Sequence, residues 1–509
     1  MDGGASRGPV ASAVRPYMSG AATLLIAGVL FAKTVQPLYS SNQHTKYLHG
    51  FADADVGFLD QDWLAHTLDG LPIFTAIVKF TVTRFGEPAF YFAALFAYLA
   101  FAFCAVWIER YRSPRDPFAL LLFTALVCAA AVYKPVRQVA FDGLGLQYIL
   151  GGYFQPSDFG VLLIVSVILF SLERVPSATV SAVVAAALHP GYVVPAACLL
   201  LVYGGFEVAS ARSTSRSSWI GIAAVALGIG ALAALAFAID IRFAPTTKEA
   251  YQEAHRILAE FRIPHHSNPW LWNPRHTLYK VIICAAAIAC LPGGRLRYVL
   301  AALSSLTFIF VLIALLPGLY TYKITAPWRG SVALVPLASL VCLSFVAAKV
   351  ADWLEERDAF KLPFWGVSAS LIVLCVFLSG SAAIRALTPD RPTYVGFVRN
   401  HLAAGQIYLT PPSLVSFRLM TGAPQYVTEK SHPYLDQEVL EWYRRLREAR
   451  SFFAASKPDC EQLHRLAVRE NITHILTAPE HVNPACHGAQ VIFEDPQTVI
   501  LHLDISAPP

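Results

Sequence analysis

Gly57-Phe58-Leu59-Asp60-Gln61-Asp62-Trp63-Leu64 is an acidic, aqueous-looking segment set between the first two of about eleven membrane-spanning hydrophobic stretches, and its reading organises the rest of the chain. Acids beside a lipid boundary can carry out proton transfer on lipid-borne substrates. Outward from this segment the apolar character is continuous: 56% of the 509 residues are hydrophobic and 14% charged, far more apolar surface than a water-soluble core could bury. The composition therefore predicts a polytopic α-helical membrane protein. The net charge of +5 does not point to nucleic acid, because the Arg residues sit in short loops and not among stacking aromatics.

The charges report orientation instead. A basic N-terminus in the cytoplasm sends an uncleaved first helix, 21–35, outward, and the next stretches alternate as 88–108, 118–133, 160–172, a pair split at His189-Pro190, 219–239, 279–291, 299–316, 331–348 and 364–384. Each inner loop is short and basic, and the odd count places the C-terminus outside. The expected organisation is a multispan domain, 1–388, with outer loops 36–87, 134–159, 240–278 and 317–330, followed by a small extracytoplasmic α/β domain, 389–509. Within the latter, strands are predicted at 406–410, 425–428, 473–477, 491–494 and 498–503, with helices at 433–457 and 460–469. Seven cysteines lie in apolar stretches as packing residues, while Cys460 and Cys486 lie in a polar region and could pair in an oxidising compartment.

Four polar concentrations could carry chemistry. The first outer loop holds Asp60 and Asp62, followed by an amphipathic stretch, 71–85, apolar enough to lie along a membrane surface. An Asp-x-Asp pair can deprotonate an acceptor or hold a divalent cation, and its plainer role is to N-cap the helix starting at Trp63. In the long outer segment, Arg262-Ile263-Pro264-His265-His266 offers two imidazoles beside a guanidinium, a phosphate or metal site or an interfacial anchor. Lys323 and Arg329 form a cation pair suited to a lipid-linked phosphate, or to headgroup snorkelling. Arg137, Asp142, Gln147 and Asp158 concentrate in the loop 134–158, part of which is expected to line the same cavity. No P-loop, HExxH, GxSxG or dinucleotide fingerprint appears, so nucleotide-driven transport, zincin proteolysis and serine hydrolysis have no sequence support.

The acidic first outer loop, a surface-lying helix within it, about eleven spans and a C-terminal α/β domain together resemble the GT-C superfamily of polyprenyl-phosphate-dependent membrane glycosyltransferases. Arg262-x-Pro-His-His, Phe417-Arg418 and Lys430-Ser431-His432-Pro433 are also similar to segments of uncharacterised bacterial multispan proteins. The resemblance implies transfer of a sugar from a polyprenyl-linked phosphate to an envelope glycan, lipid or protein at the outer face of a bacterial cytoplasmic membrane, with inversion. By position it implies Asp62 as general base and Asp60 as its orienting partner. It further implies substrate contacts from Arg137, Asp158, Arg262, His265, His266, Lys323 and Arg329, whose cations would stabilise charge on the leaving phosphate. Some members use a divalent cation and others do not, and no local spacing here decides between them. A lipid or solute transporter and a non-catalytic GT-C-like subunit of a polysaccharide assembly system are the alternatives.

Overall fold

The computed structural model describes residues 9–114, 116–210, 216–357, 361–387, 391–455, 459–483, 486 and 488–504. Contacts divide the chain into a helical unit of residues 1–36, 91–237 and 265–387, and a sheet-bearing unit of residues 37–90, 238–264 and 388–509. The C-terminal domain expected from residue 389 is thus one part of a larger unit, which also takes in most of the first outer loop and residues 240–264 of the segment 240–278. The loops 134–159 and 317–330 belong to the helical unit.

Every apolar stretch read from the sequence lies in a helix. Among the described residues, seven helices are long and apolar enough to cross a membrane: Tyr17–Thr34, Ala89–Arg112, Pro190–Ser210, Ser218–Arg242, Arg295–Ala314, Tyr320–Glu355 and Gly366–Ala386. The helix Pro117–Val132 joins Lys134–Ala140 at a bend of 111° through the extended Tyr133, because Pro135 has no N–H to donate and its ring would clash with the carbonyl four residues back in an unbroken helix. Val161–Ser171 and Val175–Leu188 fall short of a bilayer's ~30 Å and pack against each other as a hairpin. Small residues make this packing close: Ala178, Ala182, Ala185 and Ala186 are wholly buried. Polar groups in the interior find local partners, as where Thr34 donates back to Leu30 O at 2.8 Å and its hydroxyl lies 2.6 Å from that of Tyr98.

The sheet-bearing unit contains a four-stranded sheet, β1 (Tyr408–Leu409), β2 (His474–Thr477), β3 (Ala489–Glu494) and β4 (Val499–Leu503), in the order β1-β2-β4-β3. β1 is parallel to β2, and the other pairs are antiparallel. The strand expected at 425–428 is absent: Gln425 makes one isolated bridge to Tyr408, and the segment leaves the sheet to serve the site below. The predicted helices appear as Asp436–Ala454 and Cys460–Glu470. Cys460 and Cys486 are disulfide-bonded, and the other cysteines are free.

Two glycines bring the first loop onto the C-terminal segment. Gly57 has φ +62° and Gly422 φ +77°, and a Cβ on Gly57 would stand 2.4 Å from Gly422 O. Phe58 N–H donates to that same oxygen at 2.9 Å. Gly57→Ala is therefore expected to cost at least about 2 kcal/mol in urea unfolding of the full chain in detergent. Gly405→Ala, at φ +82° with open space around it, isolates the conformational cost alone. Equal losses in the two variants would show that the close approach contributes nothing.

Candidate functional site

Asp62 ends a short helical turn with φ −73° and ψ 126°, a geometry that lets its side chain turn back onto the next one. Its Oδ1 accepts Leu64 N–H at 2.9 Å, so it is the N-cap of the helix Trp63–His66. Its Oδ2 accepts Gln425 N–H at 2.9 Å and lies 3.1 Å from Arg418 Nε. Both side chains are sealed from water, at 1% exposure for each residue. Arg418 Nη2 also donates to Gln425 O at 3.0 Å, whereas its Nη1 has no hydrogen-bond partner among the described residues. Burial lowers the Arg418 pKa from its ordinary value and the Asp62 charge opposes that shift. A carboxylate held by two N–H groups and a guanidinium braces the loop against the C-terminal segment. An incoming hydroxyl would need a reachable lone pair, which this arrangement does not offer. Asp60, by contrast, is exposed.

The same unit contains a small pocket walled by Thr45, Lys46, His49, Asp69, His432 and Tyr434, among others. Its wall carries the Lys46 ammonium and the Asp69 carboxylate, and further cations lie behind His432. Arg262 Nε donates to Lys430 O at 3.0 Å and to His432 Nδ1 at 3.1 Å, which fixes His432 as the tautomer with its proton on Nε2. Burial, and then the nearby charges of Arg262, Lys46 and Lys430, hold His432 well below its usual pKa, so the ring is neutral at pH 7. The Lys46 ammonium contacts the Tyr434 hydroxyl, and Lys430 Nζ reaches Ser41 Oγ at 3.3 Å. Burial also lowers Lys430, helped by Arg262. Among the described residues, no carboxylate lies within 4.0 Å of the side-chain nitrogens of Lys46, Arg262 or Lys430. Asp69 on the pocket wall is turned to its own backbone, accepting Leu71 N–H at 2.7 Å. The pocket thus offers ammonium, imidazole N–H and hydroxyl donors, a set that can recognise an anion, beside the Asp69 carboxylate on the same wall.

The other expected residues lie in the helical unit, apart from Arg262. His266 Nδ1 meets Gly145 O, and the His265 ring is 4.1 Å from the His266 ring. Lys323 is half-buried in the helix Tyr320–Thr325. Arg329 packs against Gly191, where an added Cβ would meet the end of the Arg329 side chain. Asp158 accepts Gln155 N–H at 3.1 Å as part of a capping box, and it is 2% exposed. Arg137 occupies the last turn of Lys134–Ala140, with a buried Nε that has no hydrogen-bond partner among the described residues. Among the described residues, no three His, Cys, Asp or Glu side chains converge to hold a metal ion.

Sequence reasoning located Arg262 and quoted Lys430-Ser431-His432-Pro433, but it did not join them to each other or to Lys46 and Tyr434. The clue was available in the cations near both ends of the chain that have no acid at helical spacing. A family model described as a domain of unknown function (DUF6798) matches residues 393–449, the stretch that carries Arg418, Gln425, Lys430, His432 and Tyr434. No curated protein matches the chain.

Proposed function

We propose that this protein is a membrane glycosyltransferase that moves a sugar from a polyprenyl-linked phosphate donor to an envelope acceptor on the extracytoplasmic face, inverting the anomeric centre. The observation that carries this reading is the pocket at Lys46, His432 and Tyr434, a recess with ammonium, imidazole and hydroxyl donors whose Lys46 has no ion-paired carboxylate among the described residues, in a chain rich in apolar helices. A phosphate or pyrophosphate of the donor would take Lys46 and His432 Nε2–H as direct partners, with Arg262 holding the imidazole in its donating tautomer. Asp62 would act through the brace it forms with Arg418 and Gln425, keeping the first loop folded beside that recess. The Cys460–Cys486 disulfide fits an oxidising compartment, which supports the outward placement of the C-terminal segment.

The test compares envelope glycans and lipids of a deletion strain by mass spectrometry, complemented with the wild-type chain or with Lys46→Gln. Loss of a sugar mass on deletion, its return with wild type, and a tenfold or greater deficit with Lys46→Gln are expected, since a charge-assisted hydrogen bond contributes about 1.5–3 kcal/mol. Cargo accumulating on one face without any change in covalent bonds would favour a transporter instead. An unaltered glycan profile in the deletion strain would reject sugar transfer altogether.

A further inference from the structure

The pocket at Lys46 and His432 contains a second imidazole that the reading above does not use. His49 stands on the same wall, and every residue named in this subsection belongs to the sheet-bearing unit. His49 comes three positions after Lys46 in a helical stretch that continues through Tyr47, where Tyr47 N–H donates to Gln43 O at 2.9 Å and Phe51 N–H to Tyr47 O at 2.9 Å. That spacing sets the two side chains on one face, with Cβ atoms about 5–6 Å apart. His49 Nε2 lies 3.0 Å from Thr67 O, an atom that only accepts, so the neutral ring has its proton on Nε2 and its lone pair on Nδ1. Nδ1 makes no hydrogen bond among the described residues. His432 is fixed the other way, with Nδ1 accepting from Arg262 and the proton on Nε2. One recess therefore combines a donating imidazole and an accepting one. Behind its wall, Glu438 accepts Leu68 N–H at 2.9 Å and is close enough to His49 for their charges to interact.

We propose that His49 is the general base of the transfer, while Lys46 and His432 hold the departing phosphate. This rests on the glycosyltransferase reading and assigns to His49 the role that the sealed Asp62 carboxylate cannot fill. In the step, the acceptor hydroxyl gives its proton to His49 Nδ1 while its own oxygen bonds to the anomeric carbon. The bond from that carbon to the phosphate oxygen breaks, and its electron pair leaves with the phosphate, whose added charge meets the Lys46 ammonium and the His432 Nε2–H. The His49 ring becomes an imidazolium, and Glu438 offsets its charge. An inverting displacement needs its base and its phosphate site on either side of a single carbon atom, a separation that neighbouring side chains on one helical face provide.

Asp69 is the other proton acceptor on the wall, with one carboxylate oxygen taken by Leu71 N–H and the other without a hydrogen bond among the described residues. The variant His49→Gln separates the two jobs of the imidazole. A glutamine amide N–H can replace Nε2–H at Thr67 O, but it brings no basic nitrogen, so the local fold is kept while proton transfer is lost.

The experiment introduces His49→Gln and Asp69→Asn separately into the deletion strain and measures the restored sugar mass. His49→Gln should restore at least about 100-fold less than wild type, with an unchanged urea unfolding midpoint for the purified chain. In parallel, the full-length wild-type protein in lipid nanodiscs is treated at pH 7 with diethyl pyrocarbonate, which acylates an imidazole nitrogen that has a free lone pair, and adducts are located by peptide mass spectrometry. His49 should be modified, and His432, whose lone pair is taken by Arg262, should not. This labelling uses wild type, so it decides the matter even where His49→Gln does not fold. Full restoration by His49→Gln, whether or not Asp69→Asn abolishes transfer, overturns the base assignment and leaves the reading of the protein intact, as does an unmodified His49 in protein that transfers sugar. A deletion strain that loses no sugar mass overturns that reading and the base role together.

Discussion

Arg418→Ala is expected to destabilise the full chain by about 3–5 kcal/mol, the usual cost of leaving one partner of a buried ion pair without the other. The size of the effect follows from burial: Asp62 and Arg418 are each 1% exposed, so water cannot replace the lost guanidinium. Asp62 would keep the N–H donors of Leu64 and Gln425, which places the expected loss within that range and not beyond it. The double variant Asp62→Asn, Arg418→Ala removes both charges and should be less destabilised than the single variants Asp62→Asn and Arg418→Ala combined, by at least about 1 kcal/mol. Urea unfolding in micelles gives all three values. Additivity within about 0.5 kcal/mol would show that the two residues are not coupled, and the brace would have to be assigned to the backbone contacts alone.

Acidification should have an effect of similar size through His44. Burial, then the charges of Lys430 and Arg418, depress this imidazole from 6.5 to about 4, while the unfolded chain titrates near the ordinary value. Between these two values the unfolded state binds the extra proton, so stability rises with pH. His44 contributes fully above about pH 6.5, and the contribution is lost progressively as pH falls toward 4. The drop in pKa corresponds to about 3 kcal/mol for this residue. His432 adds to the same trend, since it too is held neutral. Comparison of wild type with His44→Asn at pH 7 and pH 4.5 isolates the His44 part. Equal acid sensitivity in the two proteins would mean that His44 is protonated without cost in the folded state.

The helices were legible because a membrane core imposes one simple pattern, long apolar runs ended by Arg, Pro or Gly, and each run read from the sequence lies in a helix. Span length was less legible. The run 160–172 reads as a span in hydropathy, but Glu173 stands at positive φ just past its helix, which ends at Ser171. β2 and β4 were readable from their β-branched residues. The segment 425–428 looked equally strand-like and is not a strand, because Gln425 uses its N–H on Asp62, a partner far away in the sequence. The plainer role of Asp62, an N-cap, was readable from its neighbours, and the structure contains that bond. Its burial against Arg418 was not, since nothing local to either residue signals the other. The pocket was hidden for the same reason, since Lys46 and His432 on its wall and Arg262 behind His432 are brought together only by the tertiary fold.

Asp62 and Gln425 are separated by 363 residues, and between them the chain must thread most of its apolar helices. At synthesis rates of about 5–20 residues per second, the early loop waits roughly 20–70 s for the guanidinium that will neutralise it. During that interval its carboxylate remains hydrated and the half-made unit is open. A nascent chain stopped anywhere before Arg418 would leave this loop without the guanidinium that seals its carboxylate.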